Sequence, residues 1–253
     1  MEIVSHGLIS IAESPHLTYS VNFHLGKDPT LWPQLERARK LPAYVRDKGV
    51  ANTLRLLLRK CRDTMEGWRW DCEHGVETRK PVSGSRFGLG GDYSASGKKF
   101  FERLGVLKLD WSKFAFVDLG CGKGKVLLMA AQFPFMRIVG VEFADELAQK
   151  ARRNIASYHG PRRCPALEVI TSDGAQYEFP PDPLVLYCFD SFPETVLRVV
   201  LKNLQHSLEV LPREVYLIYT HPVKDAVFEE FKFLQLIDTG ENHRSYRSLL
   251  PRP

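Results

Sequence analysis

Residues 114–125 read FAFVDLGCGKGK. An acid, Asp118, stands two places before the first of three alternating glycines, Gly120, Gly122 and Gly124. Glycines admit φ > 0 and let a ligand approach the backbone closely. The apolar run VLLMAAQF from Val126 predicts a helix whose first N–H groups lack partners within the helix. Strand, glycine turn and helix in that order form a nucleotide-type binding loop. A dinucleotide loop, G-x-G-x-x-G, would need its third glycine at the place held by Lys125, which excludes a nicotinamide oxidoreductase. The P-loop pattern G-x-x-x-x-G-K-[ST] does not occur either. The acid would suit a cationic group where a phosphate would not fit.

Further acids follow short β-rich runs. Arg137–Glu142 (RIVGVE) ends in a carboxylate, Leu167–Thr171 (LEVIT) runs into Ser172-Asp173-Gly174, and Leu184–Phe189 (LVLYCF) runs into Asp190. Open α/β sheets place ligands at the carboxyl ends of their strands. A carboxylate at the second strand's tip, Glu142, can accept both hydroxyls of a ribose. Asp190, beside Phe189 at the end of a strand, is the candidate general base. Phe192 and Tyr187 are candidate pocket walls, and His221 in YTHP lies on the same edge.

These residues need a sheet to present them. The near-continuous apolar run of LVLYCF fits a central parallel strand buried on both faces. Helical patterns cover Ala144–Tyr158 and Pro193–Leu208, and Glu214–Thr220 reads as a fifth strand. A short helix at Ala226–Phe231 precedes an antiparallel pair, Lys232–Asp238 and His243–Leu249. Upstream, residues 31–66 read as helical with a break at Leu41-Pro42. Residues 67–92 are rich in turn formers and aromatics and predict a long loop, and a helix over Ser94–Leu104 leads into the first strand.

The motif D-L-G-C-G-K-G resembles the first motif of class I S-adenosylmethionine (SAM) methyltransferases. The resemblance implies SAM as cofactor and a seven-stranded, mostly parallel, doubly wound Rossmann-like α/β sheet with an α-helical N-terminal extension. The expected division is an extension and loop over 1–92 and a SAM-binding domain over 93–253. Cofactor contacts are implied at Asp118 (the amino-acid end of SAM), Leu119, Gly120, Cys121, Gly122, Gly124, Glu142, Asp173 (the adenine amino group) and Phe189. Tyr93 would close over the cofactor. Many amino-group methyltransferases carry [N/D]-P-P-[Y/F] after the fourth strand. Asp190-Ser191-Phe192 keeps the acid and the aromatic without the prolines, so the resemblance implies methyl transfer without fixing nitrogen as the acceptor. The stretches WDCEHGVET, Arg86-Phe87, Tyr93-Ser94, FPFMRIVGVE and LVLYCFDSF are similar to a group of bacterial SAM-dependent methyltransferases with no known substrate.

The chain has 253 residues, 44% of them hydrophobic, enough for a sizeable core. No apolar run reaches the ~18 residues of a membrane span, and MEIVSHGLIS lacks the pattern of a secretory signal. Five scattered cysteines without a C-x-x-C pair predict free thiols in a reducing cytoplasm and no metal site. Cys121 is expected to matter through its small size. The net charge of +5 gathers early, in Arg37, Arg39, Lys40, Arg46, Lys48, Arg55, Arg59, Lys60 and Arg62. With Leu54, Leu57 and Leu58 this predicts a basic amphipathic helix. Such a helix either lies solvated on the catalytic domain or meets nucleic acid, an anionic membrane surface or an acidic protein. The expected function is methyl transfer from SAM to a protein side chain or small molecule. The alternative is a non-catalytic module of the same fold whose basic helix holds an anionic partner.

Overall fold

The computed structural model describes residues 45–47, 49–79 and 97–249. The chain divides into Met1–Leu57 and Leu58–Pro253. In the first unit the Thr53 hydroxyl donates to the Gly49 carbonyl (2.9 Å) within the helical turn. The remaining description concerns the second.

Seven strands form one sheet in the order β3-β2-β1-β4-β5-β7-β6. They are β1 (Ala115–Leu119), β2 (Arg137–Glu142), β3 (Leu167–Thr171), β4 (Leu184–Phe189), β5 (Val215–Thr220), β6 (Leu234–Gly240) and β7 (His243–Ser248). β1 to β5 pair in parallel, and β7 runs antiparallel to both its neighbours. This is the seven-stranded, mostly parallel, doubly wound Rossmann-like sheet expected from the sequence. The order reverses beside β1, so the carboxyl ends of β1 and β4 flank a topological switch point.

Helices cover both faces. On one face lie α2 (Gly97–Leu107), α3 (Lys125–Ala130) and α4 (Asp145–Ser157), with Phe100, Leu104, Leu127 and Ala148 packing on Phe116, Val185 and Tyr187. On the other, α5 (Glu194–Val210) buries Leu197, Val200, Leu201, Leu204 and Leu208 on Val117, Leu186 and Leu217. That spacing is the single apolar stripe of a surface helix. Each fully buried Leu or Val contributes roughly 1.5–3 kcal/mol. β1 and β5 are buried along their whole length, so apart from Asp118 and Thr220 they read as apolar runs.

One expectation is corrected. Residues 67–74, expected within the long loop, continue α1 (Val50–His74). The aromatics of GWRWDCEH do not stop a helix, and the chain turns only at Gly75, where φ is +68°. A Cβ at Gly67 would meet only the flexible end of the Arg79 side chain. Trp70 then stacks on His74 at 4.4 Å, and His74 on Tyr158 at 5.4 Å. The expected break at 41–42, the loop over 80–92 and Tyr93 lie outside the described residues. The expected helix over 94–104 is seen as α2, and 94–96 also lie outside. The apolar residues forecast for the basic helix, Leu54, Leu57 and Leu58, are exposed, as are Met65 and Trp68 farther along α1, while Arg62 and Arg69 pair with Glu66 and Glu73. Among the described residues no helix is long and apolar enough to cross a membrane.

Candidate functional site

The glycine turn joins β1 to α3. Gly120, Gly122 and Gly124 have φ of +80°, +54° and +80°. The N–H groups of Gly120 and Cys121 both donate to the Val141 carbonyl, at 2.8 and 3.0 Å, and fold the turn back over β2. Gly120 meets two demands at once: besides its φ, a Cβ there would stand 2.5 Å from the Ser191 hydroxyl oxygen. The turn after β4 therefore presses against the turn after β1.

Asp118 is buried near the end of β1. Burial, and then the charge of Glu142, push its carboxyl well above the usual range. A cation brought beside it would favour the charged form. Glu142, at the tip of β2, is also buried. Its Oε2 accepts from the Gly122 N–H (2.8 Å) and its Oε1 from the Ala144 N–H (2.9 Å). Each carboxylate oxygen keeps a lone pair for an incoming hydroxyl. Asp173 lies after β3, with Oδ1 accepting from the Ala175 N–H at 2.9 Å. The Phe192 ring lies on Gly174, where a Cβ would meet it at 2.6 Å. Leu119 turns its side chain into the core, leaving only its backbone at the site. Cys121 is buried, and burial pushes its thiol far up, so it is a small spacer and not a nucleophile. Its sulfur would lie 2.7 Å from a Cβ at Gly140.

A cavity beside the turn is lined by Thr78, Asp118, Gly120, Cys121, Lys125 and Phe189, among others. Thr78 and Lys125 were not singled out in the sequence. Thr78 is fixed by Asp71, whose carboxylate accepts from its N–H (2.7 Å) and hydroxyl (2.6 Å). The Lys125 ammonium lies 4.9 Å from the centre of the Trp70 ring, and burial pushes its pKa down. Asn154 was missed as well. Its buried carboxamide accepts from the Glu77 N–H (3.0 Å) and donates to the carbonyls of Glu77 (3.1 Å) and Lys123 (2.9 Å). It ties the glycine turn to the segment after α1. An Asn on a helix carries no local signal of such a role.

Asp190 adopts φ +40° just past β4, and His221 adopts φ +55° just past β5. The only other non-glycine residue with positive φ among those described is Lys108. Asp190 Oδ1 accepts a 2.7 Å hydrogen bond from the Tyr219 hydroxyl and an ion pair from Lys224. Its Oδ2 stands 3.7 Å from His221 Nδ1. The His221 ring stacks on Phe189 at 5.9 Å with planes 5° apart. The candidate base is thus a tethered carboxylate, and sequence spacing carries no sign of its partners Tyr219 and Lys224.

Residues 116–210 match the family described as a methyltransferase domain. No curated protein matches the chain. A protein of Pyrococcus horikoshii OT3 is 18% identical with a TM-score of 0.45, covering 59% of this chain and 88% of its own. Magnesium protoporphyrin IX methyltransferase of Synechocystis PCC 6803, solved with bound SAM, is 15% identical with a TM-score of 0.44 and covers 76% and 95% respectively. A SAM-dependent methyltransferase of Leishmania major is 12% identical with a TM-score of 0.46 and covers 63% and 74%.

Proposed function

We propose that this chain is a SAM-dependent methyltransferase acting on an acceptor presented at the carboxyl ends of β4 and β5. One observation carries the reading. The glycine turn places a buried acid, Asp118, under its first glycine and a second acid, Glu142, on the N–H of its middle one. The match of residues 116–210 to a methyltransferase domain supports it.

The residues fit the cofactor. Asp118, held high by burial, gains from an ammonium group such as that of SAM's amino-acid end. The two oxygens of Glu142, anchored by backbone N–H groups, can accept the ribose hydroxyls without moving. Asp173 and the exposed Phe143 that follows Glu142 offer an acceptor and a ring face for the adenine. SAM supplies a methyl group already activated by its sulfonium. The protein's share is to bind, orient and exclude water. Orientation alone is worth up to about 7–11 kcal/mol in model reactions. The close contact of Gly120 with the Ser191 turn ties the cofactor loop to the strand end carrying Asp190. Groups around Asp190 then hold the acceptor, a protein side chain or a small molecule.

Asp118→Ala and Gly120→Arg should each abolish measurable SAM binding while the protein stays folded. Unchanged affinity in both would show that the cofactor site has been misplaced.

A further inference from the structure

The carboxyl ends of β4 and β5 hold a second arrangement that the cofactor does not use. Asp190 and His221 sit side by side, both in left-handed backbone that non-glycine residues rarely adopt. The His221 backbone is held there by two hydrogen bonds. The His221 N–H donates to the Asn242 carbonyl (3.1 Å), and its own carbonyl accepts from the Val223 N–H (2.8 Å). Strain of this kind at a ligand-bearing edge points to side chains held for a purpose.

The side chains form a graded set. Tyr219 and Lys224 hold one oxygen of Asp190, and the other faces His221 Nδ1 at 3.7 Å, within ion-pair range. The parallel stack on Phe189 fixes the plane of the imidazole. With Nδ1 directed at the acid, Nε2 lies on the far side of a ring whose side chain is 55% exposed, against 16% for Asp190. At 3.7 Å this contact is electrostatic and longer than a hydrogen bond, and the carboxylate stabilises the ring once it takes a proton. His243, opposite Thr220 on β7, is engaged elsewhere, with Nε2 2.7 Å from Asp238. Among the described residues, Asp190 and, through it, Lys224 and Tyr219 are the charged and titratable groups seen to bear on His221.

Resting on the methyltransferase reading, we propose that His221 is the catalytic base, that Asp190 is its positioning residue, and that the acceptor is a hydroxyl group. The acceptor oxygen attacks the methyl carbon and forms the C–O bond. The C–S bond breaks with its electron pair going to sulfur. The hydroxyl proton passes to His221 Nε2 and then to water. Lys224 decides against an amine, because a protonated amine arriving beside Asp190 would meet a cation already paired with that carboxylate. A neutral hydroxyl meets no such repulsion, and it needs a base that an uncharged amine does not.

The test uses the full chain with tritiated-methyl SAM, cell lysate, and a set of phenols and primary amines. Products are then treated with hot hydriodic acid, which frees methyl bound to oxygen as volatile methyl iodide and leaves N-methyl groups in place. The expected result is volatile label. His221→Asn tolerates the left-handed backbone, and should cut labelling roughly 100-fold at unchanged SAM affinity, which also serves as the check on folding. Asp190→Asn should lower kcat more than it raises KM. Label retained on nitrogen, or full activity in His221→Asn, would overturn the proposal. No label at all from a protein that binds SAM would instead remove the methyltransferase reading, and this inference with it.

Discussion

Asp118 and Glu142 are two acids within one electrostatic neighbourhood, and only one has backbone donors on both oxygens. Asp118 bears the consequence. Its folded-state pKa lies above the unfolded value, so the folded protein binds a proton more readily. Its contribution to stability is then present at acid pH and is lost as pH rises through the folded pKa. Asp118→Asn removes that loss. In the absence of ligand it should raise Tm at neutral pH by about 2–4 °C for each kcal/mol relieved, and flatten the fall of Tm with pH. The same variant should bind SAM more weakly, since an amide cannot balance an ammonium. A thermal melt across pH alongside calorimetry checks both. A lower Tm at neutral pH would mean that Asp118 is already balanced by a partner within the protein.

At the scale of elements, the glycine turn depends on what lies behind it. Asn154 spans from Glu77 to the Lys123 carbonyl, so α4 couples the turn to the segment after α1. Asn154→Ala should remove these three hydrogen bonds, at a cost of roughly 1–3 kcal/mol. It should weaken SAM binding while leaving β4 and β5 unperturbed. Hydrogen exchange would show faster exchange near Lys123 and Glu77, with the strands unchanged. These contacts also mark the limit of what the chain displays locally. The strands were legible because buried parallel strands read as continuous apolar runs, as LVLYCF and VYLIYT do. The glycine turn was legible because three residues in a row of alternate positions must adopt φ > 0 or come close to a neighbour. Asn154, Tyr219 and Lys224 were not, because their partners lie 29 to 77 positions away in the chain. The continuation of α1 through Trp68 and Trp70 was also hidden. Aromatic side chains are neutral in a helix, and the packing of Trp70 on His74 and beneath Lys125 decides the matter.

Across the molecule, the sheet is held between two apolar layers, and the site occupies the edge where its order reverses. On the proposed reading, SAM would engage β1, β2 and the turn after β3, all within the unit from Leu58 onward. A ligand that binds only the folded form stabilises it by mass action, by ≈ 2.7 kcal/mol at a hundredfold excess over Kd. SAM at that excess should therefore raise Tm by several degrees, whereas adenosine, lacking the ammonium, should raise it less. Equal shifts would show that Asp118 takes no part.

The most direct measurement is calorimetry of SAM and S-adenosylhomocysteine on the purified protein, with Glu142→Ala alongside. Two hydrogen bonds to a charged group are at stake, so the wild type should bind both ligands and the variant should bind about 10–100-fold more weakly. No binding by a folded wild type, or equal binding by the variant, would contradict the placement of the cofactor on the turn between β1 and α3.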